Sequence, residues 1–527
     1  MRYLFYAVAI AALSAPTATQ SARYDVLVRN GRILDGSGNP WMRADVGIRA
    51  GRIASIGTLR DATADTVIDA GDRLVTPGFI DVHSHAAEGL GSSELRQARP
   101  ILAQGVTTVV VNPDGGGPID LQSQRQTYEK NGIGPNVALL IGHGSVRRAV
   151  MRDSQQRAPT DQELEEMRRH VRVAMEQGAF GLSSGLFYTP GSFSKTEEVI
   201  ALAAVAGNYG GVYTSHIRDE GNYNVGVVAA VEEVIRIAEE GRLTGIVSHM
   251  KALGPDNWGL SKPAIASIDH ARARGVSVFA DQYPYDASST SLRAALLPDG
   301  VQLPVRKPQT SEEAEYLKER EKVTAIIREN IRRRGGAASI RIASYRPDAS
   351  KVGMTLEQIA AKEFGGKPDA AAFEMLSRGE ASIVSFNMSE DDIRSIMMRP
   401  YTMASSDGGL VTAGSGQPHP RNNGAFARRL VTYVRDRNVV GIEFAIRSMT
   451  SLPATVFGMK DRGVIREGAI ADLAVFDLAA IRDRATYDDP HQVAEGMAWV
   501  LVNGVLVIAN GKFTEALPGK VLSRTDR

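Results

Sequence analysis

The chain has 527 residues, more than one hydrophobic core usually organises, so we expect one large domain with smaller appendages. Its 61 basic and 60 acidic residues leave no basic field to attract nucleic acid, and the expected partner is a small molecule. The absence of cysteine excludes disulfides, thiolate metal ligands, a cysteine nucleophile and a lipoprotein anchor. Any metal site must therefore use histidines and carboxylates.

Residues 1–22 have the layout of a secretory signal peptide. Arg2 precedes an apolar run from Tyr3 to Leu13, and small residues follow up to Ala22. The run is too short to span a bilayer, and we find no second apolar segment long enough for a membrane helix. We therefore expect an exported protein, periplasmic or secreted, without a membrane span. A hydrophobic, frayed terminus is the alternative interpretation.

Short alternating strands separated by glycine turns occupy both ends of the chain. Residues 23–75 include YDVLVRNGRILDGSG, and residues 455–527 include WVLVNGVLVIANG. Each stretch is too small to close a sandwich alone. We predict that the two ends pair into one small β-sandwich domain.

Eight apolar, strand-like runs recur between residues 76 and 454, and most are followed by an amphipathic stretch. Their nearly continuous hydrophobicity is typical of parallel strands buried on both faces. This α/β pattern predicts a (β/α)8 TIM-type barrel rather than a doubly wound sheet. A long gap before the eighth run predicts an insertion at about 288–380, a lid or subdomain over the barrel mouth.

Histidines and an aspartate lie at the predicted carboxyl ends of the barrel strands, where barrel enzymes build their active sites. His83 and His85 are two residues apart, so their side chains project to the same face. His216, His249 and Asp407 end the fifth, sixth and eighth strands. Because so many imidazoles and a carboxylate are costly to desolvate together, we predict that a metal ion organises them.

Other hydrolytic and nucleotide-driven mechanisms lack their defining residues. The chain has no Gly-x-Ser-x-Gly elbow, no His-Glu-x-x-His helix and no Walker loop. His143 also lies at a strand end, where we expect it to support the metal ligands rather than bind the metal. The sequence thus favours a metal-dependent mechanism.

Several motifs spread along nearly the whole chain are specific in combination. They are PGFIDVHSH, GVTTVV, GLSSGL, YTSHIRDE, SHMKALG, YPYDASS, SDGG and HPRNNGAFARRL. In these motifs the chain resembles the N-acyl-D-amino-acid deacylase (D-aminoacylase) family of the amidohydrolase superfamily. The resemblance implies a metal-dependent hydrolase of N-acyl-D-amino acids that carries one or two zinc ions.

The resemblance also implies where the metal ligands lie. It assigns ligands to two metal positions: His83, His85 and Asp407 to the first, and His216 and His249 to the tighter second. It further implies a cysteine soon after GVTTVV, where this chain has Asp114. A carboxylate can bind zinc but is harder than a thiolate and can bridge two ions, so the identity and number of the metals stay open.

The same resemblance assigns Lys251 and Arg421 to the carboxylate of the substrate. Lys251 follows His249 by two residues and can face the barrel mouth, although a surface lysine and a carbamylated bridging lysine are alternatives. The guanidinium fork of Arg421 matches a planar carboxylate. Tyr283 adds a possible third donor, and ordinary barrel packing is an equal explanation for this tyrosine.

The predicted reaction is hydrolysis of the amide bond, which releases a carboxylate and a free D-amino acid. Asp407 is the expected general base, taking a proton from a metal-bound water and delivering it to the leaving nitrogen. Two alternatives keep the chemistry: a periplasmic dipeptidase-like enzyme for peptides with a C-terminal D-residue, and a cyclic amidase. A third is a barrel that binds a ligand without catalysis.

Overall fold

The computed structural model describes residues 22–152, 155–304 and 313–524. Apart from Ala22, the predicted signal peptide lies outside these residues. Within the described ranges, no helix combines the length and the apolar character needed to cross a membrane.

Strands and helices are numbered in chain order. The strands are β1 (Arg23–Ile33), β2 (Met42–Arg49), β3 (Arg52–Gly57), β4 (Thr63–Asp69), β5 (Leu74–Pro77), β6 (Phe79–Asp81), β7 (Ser84–His85), β8 (Val106–Val111), β9 (Asn136–Gly142), β10 (Gly181–Gly185), β11 (Val212–His216), β12 (Thr244–Val247), β13 (Val278–Gln282), β14 (Ser288–Ser291), β15 (Ile340–Tyr345), β16 (Ala381–Ser385), β17 (Thr402–Ala404), β18 (Gly408–Gly409), β19 (Leu473–Phe476), β20 (Met497–Val502), β21 (Val505–Ala509) and β22 (Lys512–Phe513). The helices are α1 (Ala87–Gly91), α2 (Arg99–Leu102), α3 (Leu121–Asn131), α4 (His143–Met151), α5 (Asp161–Glu176), α6 (Thr196–Asn208), α7 (Val227–Gly241), α8 (Ser261–Ala273), α9 (Leu292–Leu296), α10 (Glu313–Arg333), α11 (Leu356–Glu363), α12 (Pro368–Arg378), α13 (Glu390–Met397), α14 (Arg421–Arg428), α15 (Ile442–Met449) and α16 (Ser451–Phe457).

Eight parallel strands form the barrel, in the spatial order β6, β8, β9, β10, β11, β12, β13 and β17. These strands are the eight apolar runs of the sequence, and β8 and β9 are buried at every residue. Beyond β6 and β17 the chain pairs again as β7 and β18, and the Asp407 N–H donates to the His83 carbonyl at 2.9 Å. The predicted (β/α)8 barrel is confirmed.

The helices around the barrel follow the amphipathic pattern of their sequence. Helix α5 begins at a capping box, in which Thr160 and Glu163 satisfy each other's backbone N–H groups. It buries Met167, Val171 and Met175, which recur every four residues on one face. Local capping and the apolar stripe therefore fix both the start of this helix and the side that packs inward.

Both chain ends contribute to one nine-stranded sheet, which contains β1 to β5 and β19 to β22. The ends meet where β5 pairs antiparallel with β19, with Val75 opposite Val475. Apolar side chains from the two ends share one core, so the predicted small β domain is present. The final segment departs from it: the Val137 N–H of β9 donates to the Lys520 carbonyl at 2.9 Å, so residues near 520 pack on the barrel.

An inserted subdomain lies between β13 and β17. Its strands form an antiparallel sheet in the order β14, β16, β15, and helices α9 to α12 cover a separate apolar core around Ile327 and Ile342. The sheet runs from Ser288 to Ser385, slightly beyond the predicted end at about 380. Strand β14 brings this subdomain to the barrel mouth.

Candidate active site

The metal-ligand residues predicted from the sequence converge at the carboxyl ends of the barrel strands. In one group, ligand atoms of His83, Asp114, His249 and Asp407 all lie within 4.8 Å of one another. In a second group, ligand atoms of His216, Glu220 and His249 also lie within 4.8 Å of one another. His249 belongs to both groups, so the two clusters are contiguous.

Asp114 occupies the centre of the first cluster. Its Oδ1 lies 3.4 Å from His83 Nε2 and 3.6 Å from His249 Nε2. Its Oδ2 lies 3.3 Å from His85 Nε2. The carboxylate at the position of the family's expected cysteine therefore faces three imidazoles at once.

Asp407 is the second carboxylate beside His83 and His85. Its Oδ1 lies 3.1 Å from His85 Nε2 and 3.6 Å from His83 Nε2. Its Oδ2 accepts a hydrogen bond of 2.6 Å from Nη1 of Arg421. One carboxylate oxygen thus faces the imidazoles, and the other is held by a buried guanidinium.

Glu220 is a site residue that sequence reasoning missed. Its Oε2 lies 3.7 Å from His216 Nε2, and its Oε1 lies 3.0 Å from His249 Nδ1. The Lys251 ammonium donates to the same Oε1 and lies 2.7 Å from His249 Nδ1. The signal was available in YTSHIRDE, where this glutamate follows His216 by four residues.

The backbone holds three of these residues in the left-handed region, which side chains rarely adopt. The φ angles are 55° for Asp114, 35° for His249 and 50° for Asp407. Such conformations are costly and persist where surrounding contacts overdetermine them, often at functional sites. Here the His249 N–H donates to Oδ1 of the buried Asp281 at 2.9 Å.

The donor atoms fit a divalent metal ion. His83 Nε2, Asp114 Oδ1 and His216 Nε2 are buried and have no hydrogen-bond partner within the described part of the chain. Buried polar atoms without partners are costly, and here they face common ligand clusters. Imidazole nitrogens and carboxylate oxygens suit zinc and similar transition metals.

Burial and mutual charge shift the pKa values of the site residues strongly. Burial raises the pKa of Asp114 and Asp407, yet the nearby His83 and Arg421 charges hold both well below the usual range. Burial lowers the pKa of His216 to about 4, which leaves a neutral imidazole at physiological pH. Although burial opposes it, the neighbouring carboxylates raise the pKa of His85 to about 9 and the pKa of His249 to about 10, so metal binding would displace protons from these two imidazoles.

A cavity of about 330 Å³ lies over these residues. Its wall includes all three predicted substrate residues, Lys251, Tyr283 and Arg421. The buried Tyr283 ring contacts both cations, with centroid distances of 5.5 Å to Lys251 Nζ and 4.8 Å to Arg421 Cζ. Part of the remaining wall comes from barrel loops, through Phe187, Tyr188 and Tyr223. The insertion contributes β14 and Arg334, which sequence reasoning did not assign to the site.

Two further histidines, His419 and His143, lie outside the ligand clusters. His419 accepts the Arg421 N–H through Nδ1 at 3.0 Å, and its Nε2 lies 3.0 Å from the Ala287 carbonyl. It therefore fixes the backbone that carries Arg421. His143 instead forms a buried pair with Glu198 at 2.9 Å, and among the described residues it contacts none of the metal-ligand side chains. The expectation that it supports those ligands directly was wrong.

Comparison with known proteins places this site in a family. The amidohydrolase family model matches residues 66–508, which is most of the chain. An N-acyl-D-glutamate deacylase from Alcaligenes xylosoxydans xylosoxydans is 36% identical over 524 residues, covering 95% of this chain and 97% of that protein. A D-aminoacylase of the same organism is 35% identical, covering 96% and 99%.

The chain belongs to the D-aminoacylase family of the amidohydrolase superfamily. This assignment confirms the resemblance found in the motifs. A crystal structure of an N-acyl-D-glutamate deacylase from Bordetella bronchiseptica, complexed with zinc and a phosphonate mimic of the tetrahedral intermediate, superposes on this amidohydrolase with a TM-score of 0.81. The two chains are 37% identical, and the match covers 95% of this amidohydrolase and 100% of that chain.

Proposed function

We propose that this amidohydrolase uses one or two zinc ions to hydrolyse N-acyl-D-amino acids to a carboxylate and a free D-amino acid. The observation that carries the proposal is a ligand cluster that shares one small cavity with two buried cations, Lys251 and Arg421. The ligands would act on the amide, and the cations would bind the neighbouring carboxylate. The names of the relatives, which include deacylases of N-acyl-D-amino acids, support this substrate class.

The residues that would hold zinc are His83, His85, Asp114, His216, His249 and Asp407. Zinc bound there would supply a Lewis acid for the scissile carbonyl and lower the pKa of a bound water. The central position of Asp114 between the histidines supports its role as the ligand in place of cysteine. The number of metal ions per chain in the purified protein will show whether one or two ions bind.

Asp407 is the proposed general base. It is ionised, because the Arg421 charge keeps the pKa of its buried carboxyl well below the usual range. It would take a proton from the attacking water and deliver it to the leaving nitrogen. The hydrogen bond from Arg421 holds the carboxylate in place during both transfers.

Lys251, Arg421 and Tyr283 are the proposed contacts of the substrate carboxylate. Arg421 uses Nη1 for Asp407, and a guanidinium has further N–H groups with which to hold a second carboxylate. Lys251 is a compact cation beside the metal ligands. Fixing the carboxylate would position the adjacent amide over the attacking water, which accounts for a large part of catalysis in such sites.

Elemental analysis of the purified protein, combined with hydrolysis assays, tests this proposal. The substrates are N-acetyl amino acids of both hands, dipeptides with a C-terminal D-residue and cyclic amides, each assayed before and after chelation. We expect bound zinc and a chelator-sensitive release of D-amino acids from the N-acetyl substrates. Preference for the peptides or cyclic amides would support the corresponding alternative, and a metal-loaded protein inactive on every substrate would support the non-catalytic alternative.

We also propose that the protein is exported. The support is the charged, apolar and small-residue order of residues 1–22. Expression of the full chain in a Gram-negative host, followed by fractionation and mass spectrometry, tests it. We expect a shortened chain in the periplasmic fraction, whereas a chain that starts at residue 23 should stay in the cytoplasm. A full-length protein found only in the cytoplasm would refute export.

A further inference from the structure

Arg334 brings a third cation to the substrate cavity. It directly follows α10 in the inserted subdomain and is 2% exposed, yet it lines the same cavity as Lys251 and Arg421. It therefore faces the same cavity as the two cations proposed to hold the substrate. Nothing in the proposed hydrolysis uses it.

The three cations differ in their partners. Lys251 is paired with Glu220, and Arg421 is paired with Asp407. Arg334 has no ion pair with any carboxylate of the residues that the structure describes, and its buried Nε has no hydrogen-bond partner there. A buried guanidinium without a counter-ion is costly, so its position is explained best by an anion that arrives with the substrate.

Neighbouring groups orient this guanidinium. The side-chain amide of Asn387 forms hydrogen bonds through both of its polar atoms when it is rotated by 180°. In that orientation its oxygen accepts from Arg334 Nη1 at 3.0 Å, and its nitrogen donates to Ser288 Oγ at 3.1 Å. Asn387 is fully buried, and Ser288 also lines the cavity. The chain thus supplies a fixed guanidinium and a nearby hydroxyl, groups that together suit a carboxylate.

We propose that Arg334, together with Ser288, binds a second carboxylate of the substrate. This inference rests on the proposed function, in which Lys251 and Arg421 hold the first carboxylate. The preferred substrates are then diacids. The second carboxylate belongs either to an acidic side chain of the amino acid, as in an N-acyl-D-glutamate, or to a dicarboxylic acyl group.

Matched charged and neutral substrates test the first source. N-acetyl-D-glutamate and N-acetyl-D-glutamine have nearly the same shape but differ in charge, so their kcat/KM ratio measures recognition of the carboxylate. We expect the zinc-loaded wild-type enzyme to prefer the glutamate. In Arg334→Gln the ratio should fall by at least about tenfold, whatever loss the two substrates share, because a charge-assisted hydrogen bond is removed.

A second pair of substrates tests the acyl source. N-succinyl-D-norvaline carries a carboxylate on the acyl group. In N-succinamoyl-D-norvaline a neutral carboxamide replaces that carboxylate. If only this pair shows a charge preference that Arg334→Gln removes, the second carboxylate belongs to the acyl half. Charged-to-neutral ratios that are the same in wild type and variant for both pairs would overturn the proposal.

Two control variants separate recognition from damage. Arg334→Lys keeps a cation and should retain part of the preference. Arg332→Gln removes an exposed cation two residues earlier, at the end of α10, which pairs with Asp256, and it should leave both ratios unchanged. Failure of the proposed function looks different: the zinc-loaded wild-type enzyme would then release no amino acid from any N-acyl substrate.

Discussion

The carboxyl ends of the barrel strands with the loops that follow them, here called the barrel rim, form one wall of the cavity, and the inserted subdomain forms the other. The two walls are built differently. On the rim, the metal-ligand side chains lie at or just beyond the ends of barrel strands, and Asp114, His249 and Asp407 are fixed in a left-handed backbone conformation. The insertion has its own sheet and core, and it reaches the cavity through β14 and Arg334. The difference suggests that the rim carries the reaction and that the insertion selects the substrate.

The largest expected effect is the loss of the base on the rim. In Asp407→Asn the side chain keeps its shape but cannot accept a proton, so we expect kcat to fall by about 10³-fold. The thermal unfolding temperature of the variant should stay near wild type. Because Asp407 is also a proposed zinc ligand, kcat is measured at saturating zinc, which separates the loss of the base from weaker metal binding. Full activity in a correctly folded Asp407→Asn variant would contradict the proposal that the rim supplies the general base.

The barrel rim could be predicted from the sequence, whereas the contribution of the insertion could not. The strands of the barrel could be predicted because parallel strands buried on both faces leave continuous apolar runs, and the residues that end them had to meet at one rim. This logic found His216 and His249, and the family resemblance found Asp114. The mouth-facing position of Arg334 could not be predicted, since it depends on how α10 packs against a sheet whose strands are distant in sequence.

Glu220 shows the intermediate case. It stands in a motif that the sequence analysis quoted, but its role depends on the turn after β11, which carries the carboxylate back to His216 and His249. Spacing alone does not determine such a turn. Pairing with Lys251 likewise required the structure, because the lysine comes from a different strand end.

Weakening the core of the insertion tests whether selection can be separated from chemistry. Ile327 is fully buried in that core, and Ile327→Ala should lower the free energy of unfolding by about 3 kcal/mol through lost contacts and a cavity. We expect KM to rise while zinc content is unchanged. Leu317→Ala, at an exposed position of the same helix, is the matched control.

Denaturant unfolding and substrate kinetics provide the measurement for the core variant. Hydrogen exchange would show whether residues 313–385 lose protection before the barrel strands do. Loss of zinc together with loss of protection throughout the barrel would show that the two walls are one cooperative unit, contrary to the comparison.

Removing the Glu220 charge should have the next largest effect. This residue lies on the rim, beside His216 and His249. Glu220→Gln should weaken zinc binding by about 10- to 100-fold, as do changes to groups that orient metal ligands. The variant also leaves the Lys251 ammonium without its carboxylate partner. Competition with a chromophoric chelator measures the affinity, with Glu240→Gln on the exposed face of α7 as the control.

An unchanged zinc affinity in Glu220→Gln would show that this carboxylate serves only Lys251. In that case KM for the N-acyl substrate should change instead, because the lysine would be displaced. Either result shows whether the Glu220 carboxylate serves the metal-ligand histidines or Lys251.

The smallest predicted effect concerns Ser288, the hydroxyl that accompanies Arg334 in the insertion wall. Ser288→Ala removes one hydrogen bond to Asn387, and such a bond contributes about 1 kcal/mol, or roughly fivefold in an equilibrium. We expect the preference for N-acetyl-D-glutamate over N-acetyl-D-glutamine to fall by about that factor, with unchanged zinc content. Ser344→Ala, whose hydroxyl pairs with Ser382 away from the cavity, should change neither quantity. If Ser288→Ala instead reduced zinc binding, the insertion would be part of the metal site, and the separation between a catalytic rim and a selective wall would fail.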